Sequence, residues 1–311
     1  MGFKKNFIEG SFIEFPSLSK RQIIEYEENG LNPDTYCLEY TNYSVFQNPF
    51  RRFPYYSAAN IDGSKFIEKL DRLSDFKKDD RIPLNHQFGD ELYDAKKSDF
   101  DRGHMTKRED TQWGIDEFEA KKAADSTFFF TNAVPQHARL NRSIWRRIEN
   151  YILHSESVKN NLKISVFTGP VLNHNDPYFV TKVEGKQIKI PRVFWKVVYY
   201  LNKNNELSRV AYITNQSNLL HSNGIVDASY EITRSSDGED DFFLDFKDAD
   251  TYQTDVSVIE SLTLLTFPKA KDVYKDHRMV RLILEEVNYR SSQISEDPNE
   301  ETLPKIKNLK L

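Results

Sequence analysis

The chain is short of three things. It has one cysteine, Cys37, in 311 residues, so no internal disulfide can form and a disulfide-stapled secreted scaffold is excluded. Cys37 sits in an apolar run and reads as a small core residue. Positive charge is not in surplus: 43 Lys and Arg against 48 Asp and Glu leave a net charge of −5. Domains that grip nucleic acid by bulk charge usually carry a basic surface, so any such contact must come from locally clustered Arg and Lys. Long apolar runs are also missing. No stretch approaches the roughly 20 apolar residues of a membrane helix. The basic start Met1-Gly2-Phe3-Lys4-Lys5-Asn6 is followed by no apolar signal core, and Asn6 breaks the myristoylation pattern. The expectation is a cytoplasmic protein without membrane contact.

What the chain does have is large apolar side chains: 22 Phe, 16 Tyr and 3 Trp within a hydrophobic content of 38%. That composition predicts a folded core rather than a disordered chain. Leu18 to Glu28 reads as a short helix with Ile23, Ile24 and Tyr26 inward. Thr35 to Tyr43 and Arg51 to Ala59 read as two strands joined by a turn at Asn48-Pro49. Residues 74–100 and 105–125 are polar and read as surface excursions, with Trp113-Gly114 as an anchor. The run from Ser126 to Thr131 is short and Phe-rich, as a buried strand would be.

The second half is rich in β-branched and aromatic runs: Lys163–Val171, Arg192–Leu201 and Ser208–Thr214 predict a sheet. Asp255 is placed to cap a helix over 255–266. Ser235 to Asp250 holds seven acidic residues and one Lys, either a solvated insertion or an acidic lid over a basic cleft. Met279, Val280, Ile283, Leu284 and Val287 have helical spacing within 273–289. The domain reading is an extension over 1–30, one domain over 31–268, and a C-terminal helix and mobile tail over 269–311.

Chemistry concentrates between Asp101 and Glu149. His104 is a natural general base near neutral pH, although a His bonded to backbone is the commoner role for a lone one. Arg102, two residues away on an extended segment, falls on the same side as His104 and suits phosphate oxygens. Gly103 between them permits close backbone approach. Asn141 precedes an amphipathic run, as an N-cap does, or serves as a metal ligand. Trp145 and Glu149 follow at i+4 and i+8 on a helix running to about His154, which puts Glu149 about 12 Å further along the axis. Glu149 would then meet an ion bound at Asn141 only through water, a division that suits magnesium. Arg139, Arg142, Arg146 and Arg147 surround this stripe and would form a local basic cleft if exposed on one side.

Asp101-Arg102-Gly103-His104, then Thr131-Asn132-Ala133-Val134-Pro135-Gln136, then Leu140-Asn141 with Trp145 and Glu149, resembles the DNA/RNA non-specific endonuclease family. The likeness extends from about Tyr36 to Phe267, through Thr168-Gly169-Pro170-Val171, Ile190-Pro191, Phe194-Trp195-Lys196 and Ile259-Glu260. Leu264 stands where the family often has Gly. The resemblance implies an α+β fold of the ββα-metal nuclease type, a mostly antiparallel sheet flanked by helices. It implies magnesium-dependent hydrolysis of DNA or RNA leaving 5′-phosphates, with manganese able to substitute. Within it His104 resembles the general base, Asn141 the metal ligand and Glu149 the holder of a metal-bound water. Arg102, Asn132 and Arg52 match further active-site positions.

Two competing readings are a nucleic-acid-binding regulatory module without turnover and a phosphodiesterase for small nucleotides. A non-specific nuclease loose in the cytoplasm would attack its own cell. The expected partners beyond DNA or RNA are therefore an inhibitor, an activating partner or a second copy of the chain, in a defence effector or toxin.

Overall fold

From Val193 to Leu201 every residue but Lys196 is apolar or aromatic, the pattern of a strand buried on both faces. The run forms a central strand in a computed structural model that describes residues 2–72, 75–227, 250–276, 278–287 and 303–310. In chain order the strands are β1 (Cys37–Glu39), β2 (Tyr43–Asn48), β3 (Phe53–Asp62), β4 (Phe100–His104), β5 (Ala133–His137), β6 (Lys163–Pro170), β7 (Val193–Leu201), β8 (Leu207–Asn215), β9 (Thr251–Thr254), β10 (Lys271–Asp272), β11 (Val280–Arg281), β12 (Leu284–Val287) and β13 (Leu303–Ile306). The α-helices are α1 (Lys20–Glu28), α2 (Asp90–Tyr93), α3 (Glu117–Ser126), α4 (Ala138–Arg142), α5 (Ile144–Asn150), α6 (Ser217–Ser222) and α7 (Val256–Thr263).

Among the described residues the main sheet runs β1-β2-β3-β6-β7-β8-β9-β11, with β10 paired to β8. All its pairings are antiparallel except β10 with β8. Side chains alternate across it with the period of two that a strand imposes. Val193, Trp195, Val197 and Tyr199 of β7 enter one core, with Phe3, Ile8, Ile13 and α7 residues Val256 and Ile259. Phe194 and Val198 face the other side, where two further apolar clusters lie. Lys196 falls on that second face, beneath the ββα unit described below.

The capping expectation for the helix after Asp255 holds. Asp255 caps α7, its carboxylate accepting from the Ser257 amide at 2.8 Å. Leu264 ends that helix with φ +58°, the left-handed conformation that Gly adopts without strain. No helix among the described residues is long and apolar enough to cross a membrane.

Others are corrected. In α1, Tyr26 and Gln22 are buried while Ile23 and Ile24 are exposed, because Gln22 donates to the Thr263 carbonyl and Tyr26 to the Gln47 carbonyl. The expected helix over 273–289 is replaced by strands: β11 pairs with β9, and β12 with β13 from the expected mobile tail. Strand partners distant in sequence decided this, as they often do for short apolar runs. The polar stretch 105–125 contains the start of a helix, α3, capped by Asp116 on the Glu119 amide at 2.8 Å. The acidic segment 235–249 lies outside the described residues.

Candidate active site

Strands β4 and β5 form an antiparallel hairpin of their own, with His104 opposite Ala133 and Arg102 opposite Pro135. Helices α4 and α5 follow directly, completing a strand-strand-helix unit packed on the second face of the sheet. Gly103 is needed there for a different reason than expected. A Cβ at this position would lie 2.3 Å from the Gln136 side-chain oxygen, so the close approach is made by a neighbouring strand and not by a ligand.

His104 ends β4. Its ring packs against Phe76 at 4.9 Å and Phe128 at 5.2 Å between centroids. One ring nitrogen bonds the Arg102 backbone carbonyl, while Nε2 is shielded and has no hydrogen-bond partner. Burial, with the nearby Arg72 and Arg108 charges, lowers its pKa to about 3 against the carbonyl's opposing effect. The imidazole is therefore held neutral at neutral pH.

Arg102 shares the aromatic wall, over Tyr93 at 5.3 Å and Phe130 at 6.0 Å. Its guanidinium donates to Asp90 at 2.7 Å and to Asp94 at 3.1 Å. Arg52 adopts φ +61°, lies over Phe88 at 4.0 Å, and donates to Glu91 at 3.2 Å and Glu184 at 2.9 Å. Asp90 and Glu91 both belong to α2, and Asp94 is its C-cap. The structure thus brings both arginines to one acidic helical turn, whose carboxylates sequence reasoning did not single out.

Asn141 is not an N-cap. His137 holds that place, its Nδ1 accepting from the Arg139 amide at 3.2 Å, and Asn141 lies inside α4. Its Nδ2 donates to Asp101 at 2.8 Å, and Arg142 donates from Nε to the same carboxylate oxygen at 2.8 Å. With the amide nitrogen committed, Oδ1 is the end left to act as a ligand. The expected continuous helix from Asn141 to Glu149 is interrupted at Ser143 (φ −115°, ψ −108°), whose hydroxyl donates to the Arg139 carbonyl. The straight-helix rise between the two residues does not apply. Beyond Asn150 the chain continues as a π-helix, Tyr151–Val158. Arg139, Arg142, Arg146 and Arg147 are all exposed, opposite the buried Leu140, Trp145 and Ile148.

Glu149 is 8% exposed and pairs with Lys196 Nζ at 3.1 Å; Lys196 is 1% exposed. Lys196 also donates to the Thr168 hydroxyl at 3.0 Å and lies 5.3 Å from the Trp145 ring. Asp110, buried nearby, has its pKa raised to about 6 by burial. Lys196 and Lys107 pull it down, and Glu149 and Glu109 push it up. Sequence reasoning gave Lys196 no role, although a lone charge inside an apolar strand was its signal.

Asn132 does not face the cleft. It is fully buried, accepting from the Thr106 amide at 2.9 Å and donating to the carbonyls of Thr106 at 2.9 Å and Thr127 at 3.1 Å. It clamps the turn that follows His104, and so is a positioning residue. Asn132→Ala is expected to cost about 2–3 kcal/mol by orphaning buried backbone groups. Urea melts would read this, and a loss under about 0.5 kcal/mol would show that the clamp is dispensable.

Among the described residues no three His, Cys, Asp or Glu side chains gather as a metal cage. An oriented amide oxygen beside a carboxylate fits a hard cation that keeps most of its own water, not one needing a full set of protein ligands.

Residues 21–273 match the family described as DNA/RNA non-specific endonuclease. An uncharacterized protein of Sinorhizobium fredii is 38% identical over 188 residues, 58% of this chain and 27% of that one. Human mitochondrial endonuclease G is 31% identical over 134 residues, 41% of either chain. The chain therefore spans less than half the length of these curated relatives. An EndoG structure solved in complex with EndoGI superposes with a TM-score of 0.53 at 20% identity, covering 82% of this chain and 92% of that one. That likeness establishes the fold: α+β, of the ββα-metal nuclease type. The chain belongs to the DNA/RNA non-specific endonuclease family.

Proposed function

We propose that this chain is a metal-dependent endonuclease that hydrolyses phosphodiester bonds in DNA and RNA without sequence preference. The observation that carries the reading is His104 at the end of β4, packed against Phe76 and Phe128 with Nε2 unpartnered, and Asn141 on helix α4, which adjoins β4, its amide nitrogen held by Asp101.

In this mechanism the His104 imidazole accepts a proton from water as the water oxygen bonds to phosphorus and the P–O3′ bond breaks, leaving a 5′-phosphate and a 3′ oxygen that takes a proton from solvent. Arg102 and Arg52 exchange their carboxylate partners for phosphate oxygens and hold the diester in place. Asn141 Oδ1 would hold the cation, with Glu149, steadied by Lys196, holding one of its waters. Magnesium there, or manganese in its stead, supplies charge neutralisation at the phosphate and the leaving oxygen. Asp101 acts through Asn141 by orienting its amide.

Digestion of plasmid DNA and of ribosomal RNA side by side, with magnesium and with EDTA, tests the reading. Cleavage of neither substrate with magnesium present would sink it. Asn141→Ala and Asp101→Asn are expected to raise the magnesium concentration for half-maximal cleavage by about 10–100-fold, the usual cost of disturbing a ligand or its orienting partner. An unchanged titration for Asn141→Ala would remove that residue from the metal site. The EndoG neighbour was solved with EndoGI in a study of EndoG inhibition, which supports the proposal that an inhibitor partner restrains this chain in the cytoplasm.

A further inference from the structure

Behind the His104 wall opens a groove of about 520 Å³ whose lining includes Lys77, Phe118, Lys121, Lys122, Asp125 and Phe128. Phe118, Lys121 and Lys122 stand at i, i+3 and i+4 on α3 and so share one face of that helix. Its other face is buried through Ala120, Ala123 and Ala124. Phe118 is 79% exposed, and a large apolar ring in water at the lip of a groove does nothing for the fold. Lys77 and Lys122 are exposed as well. Lys121 is tied to Asp125 at 2.6 Å. Asp75 is the other carboxylate in the wall. Lys77 lies over Phe129 at 4.6 Å, and Arg72 over Phe128 at 5.7 Å.

The groove and the reacting end share one residue. Phe128 lines it, and the same ring makes the edge contact with His104. A ligand that reaches His104 through its phosphate and continues into the groove meets ammonium groups and an open aromatic face. Alternating phosphates and bases match that sequence of groups. In a duplex both faces of each base are already stacked, so Phe118 offers it nothing; an unpaired base has a face to give.

We propose that this groove seats an unpaired stretch of nucleic acid next to the scissile phosphate, with a base against Phe118 and backbone phosphates beside Lys77 and Lys122. The proposal rests on reading His104 as the reacting end of the site. Substrates with single-stranded character then gain contacts that a rigid duplex lacks.

Fluorescence anisotropy of labelled oligothymidylate and of a duplex of equal length, both in EDTA, tests it with the full chain. Phe118→Ala is expected to weaken single-strand binding by about five- to tenfold, and duplex binding by less than about twofold. The pair Lys77→Glu with Lys122→Glu should weaken single-strand binding further and make its salt dependence shallower. Single-strand affinity of Phe118→Ala within about twofold of the wild type, or no single-strand binding by the wild type, would overturn the groove assignment. Hydrolysis of bis(4-nitrophenyl) phosphate by the wild type reports the His104 chemistry separately. A chain that binds single strands through Phe118 yet hydrolyses no diester would overturn the reaction and keep the groove.

Discussion

His104→Ala is expected to lower plasmid cleavage in magnesium by about 10²–10⁴-fold, the range general-base removal usually costs, while leaving the fold intact. Losing the ring orphans no partner at Nε2, so the cost in stability comes from its contacts with Phe76 and Phe128 and leaves the chain folded. The low pKa of His104 sharpens the test. In the folded protein the ring stays neutral down to about pH 3, whereas in the unfolded chain it takes up a proton near about 6.5. Between those limits the unfolded state binds more protons, so the wild type loses stability as pH falls through the window, and His104→Ala should lose less.

Kinetics carry a related signature. The acid limb of kcat/KM reports the free protein and should lie well below pH 6. The limb of kcat should lie higher, because a bound phosphate favours the charged ring. Coincident limbs, or cleavage by His104→Ala within about tenfold of the wild type, would take the general-base role away from this residue.

The second large effect lies beneath the site. Lys196→Met is expected to destabilise the protein by about 3–5 kcal/mol near pH 8, because it leaves Glu149 buried without its cation. Asp110 adds to the effect. Its pKa, about 6 with Lys196 present, must rise when that ammonium is removed, which makes the site a cluster of buried carboxylates. A group with a raised pKa favours the folded state as pH falls, so the penalty should shrink towards about pH 5 as Asp110 takes up its proton.

Lys196→Met combined with Glu149→Gln should recover much of the loss, since an unpaired buried charge costs more than a matched neutral pair. Denaturant midpoints at the two pH values would measure all of this. A loss under about 1 kcal/mol near pH 8 would show that the pair contributes little to holding α5 in place.

The strand-strand-helix unit that carries Arg102, His104 and Asn141 was legible in the sequence through its resemblance to the family's motifs. So were β6, β7 and β8, whose β-branched and aromatic runs leave little choice of conformation. What escaped depends on partners far along the chain. Asn132 reads like an active-site residue until its three backbone partners are seen. Lys196 finds Glu149 only across the packing of a helix on the sheet, and the carboxylates of α2 reach Arg52 and Arg102 only through a loop of polar residues. The break at Ser143 leaves no trace in composition, since Ser is tolerated on either side of a helix boundary. Strand β12 was hidden because Leu284–Val287 takes its conformation from Leu303–Ile306.

The acidic turn at α2 has a consequence for how binding answers to ionic strength. Arg52 and Arg102 are already neutralised by Glu91, Glu184, Asp90 and Asp94. When a polyanion arrives it takes the place of internal carboxylates, and those carboxylates then recruit cations from solution while the polyanion sheds its own. Ion release and ion uptake partly cancel. Affinity for nucleic acid should therefore fall less steeply with added salt than the number of arginine–phosphate contacts alone would dictate.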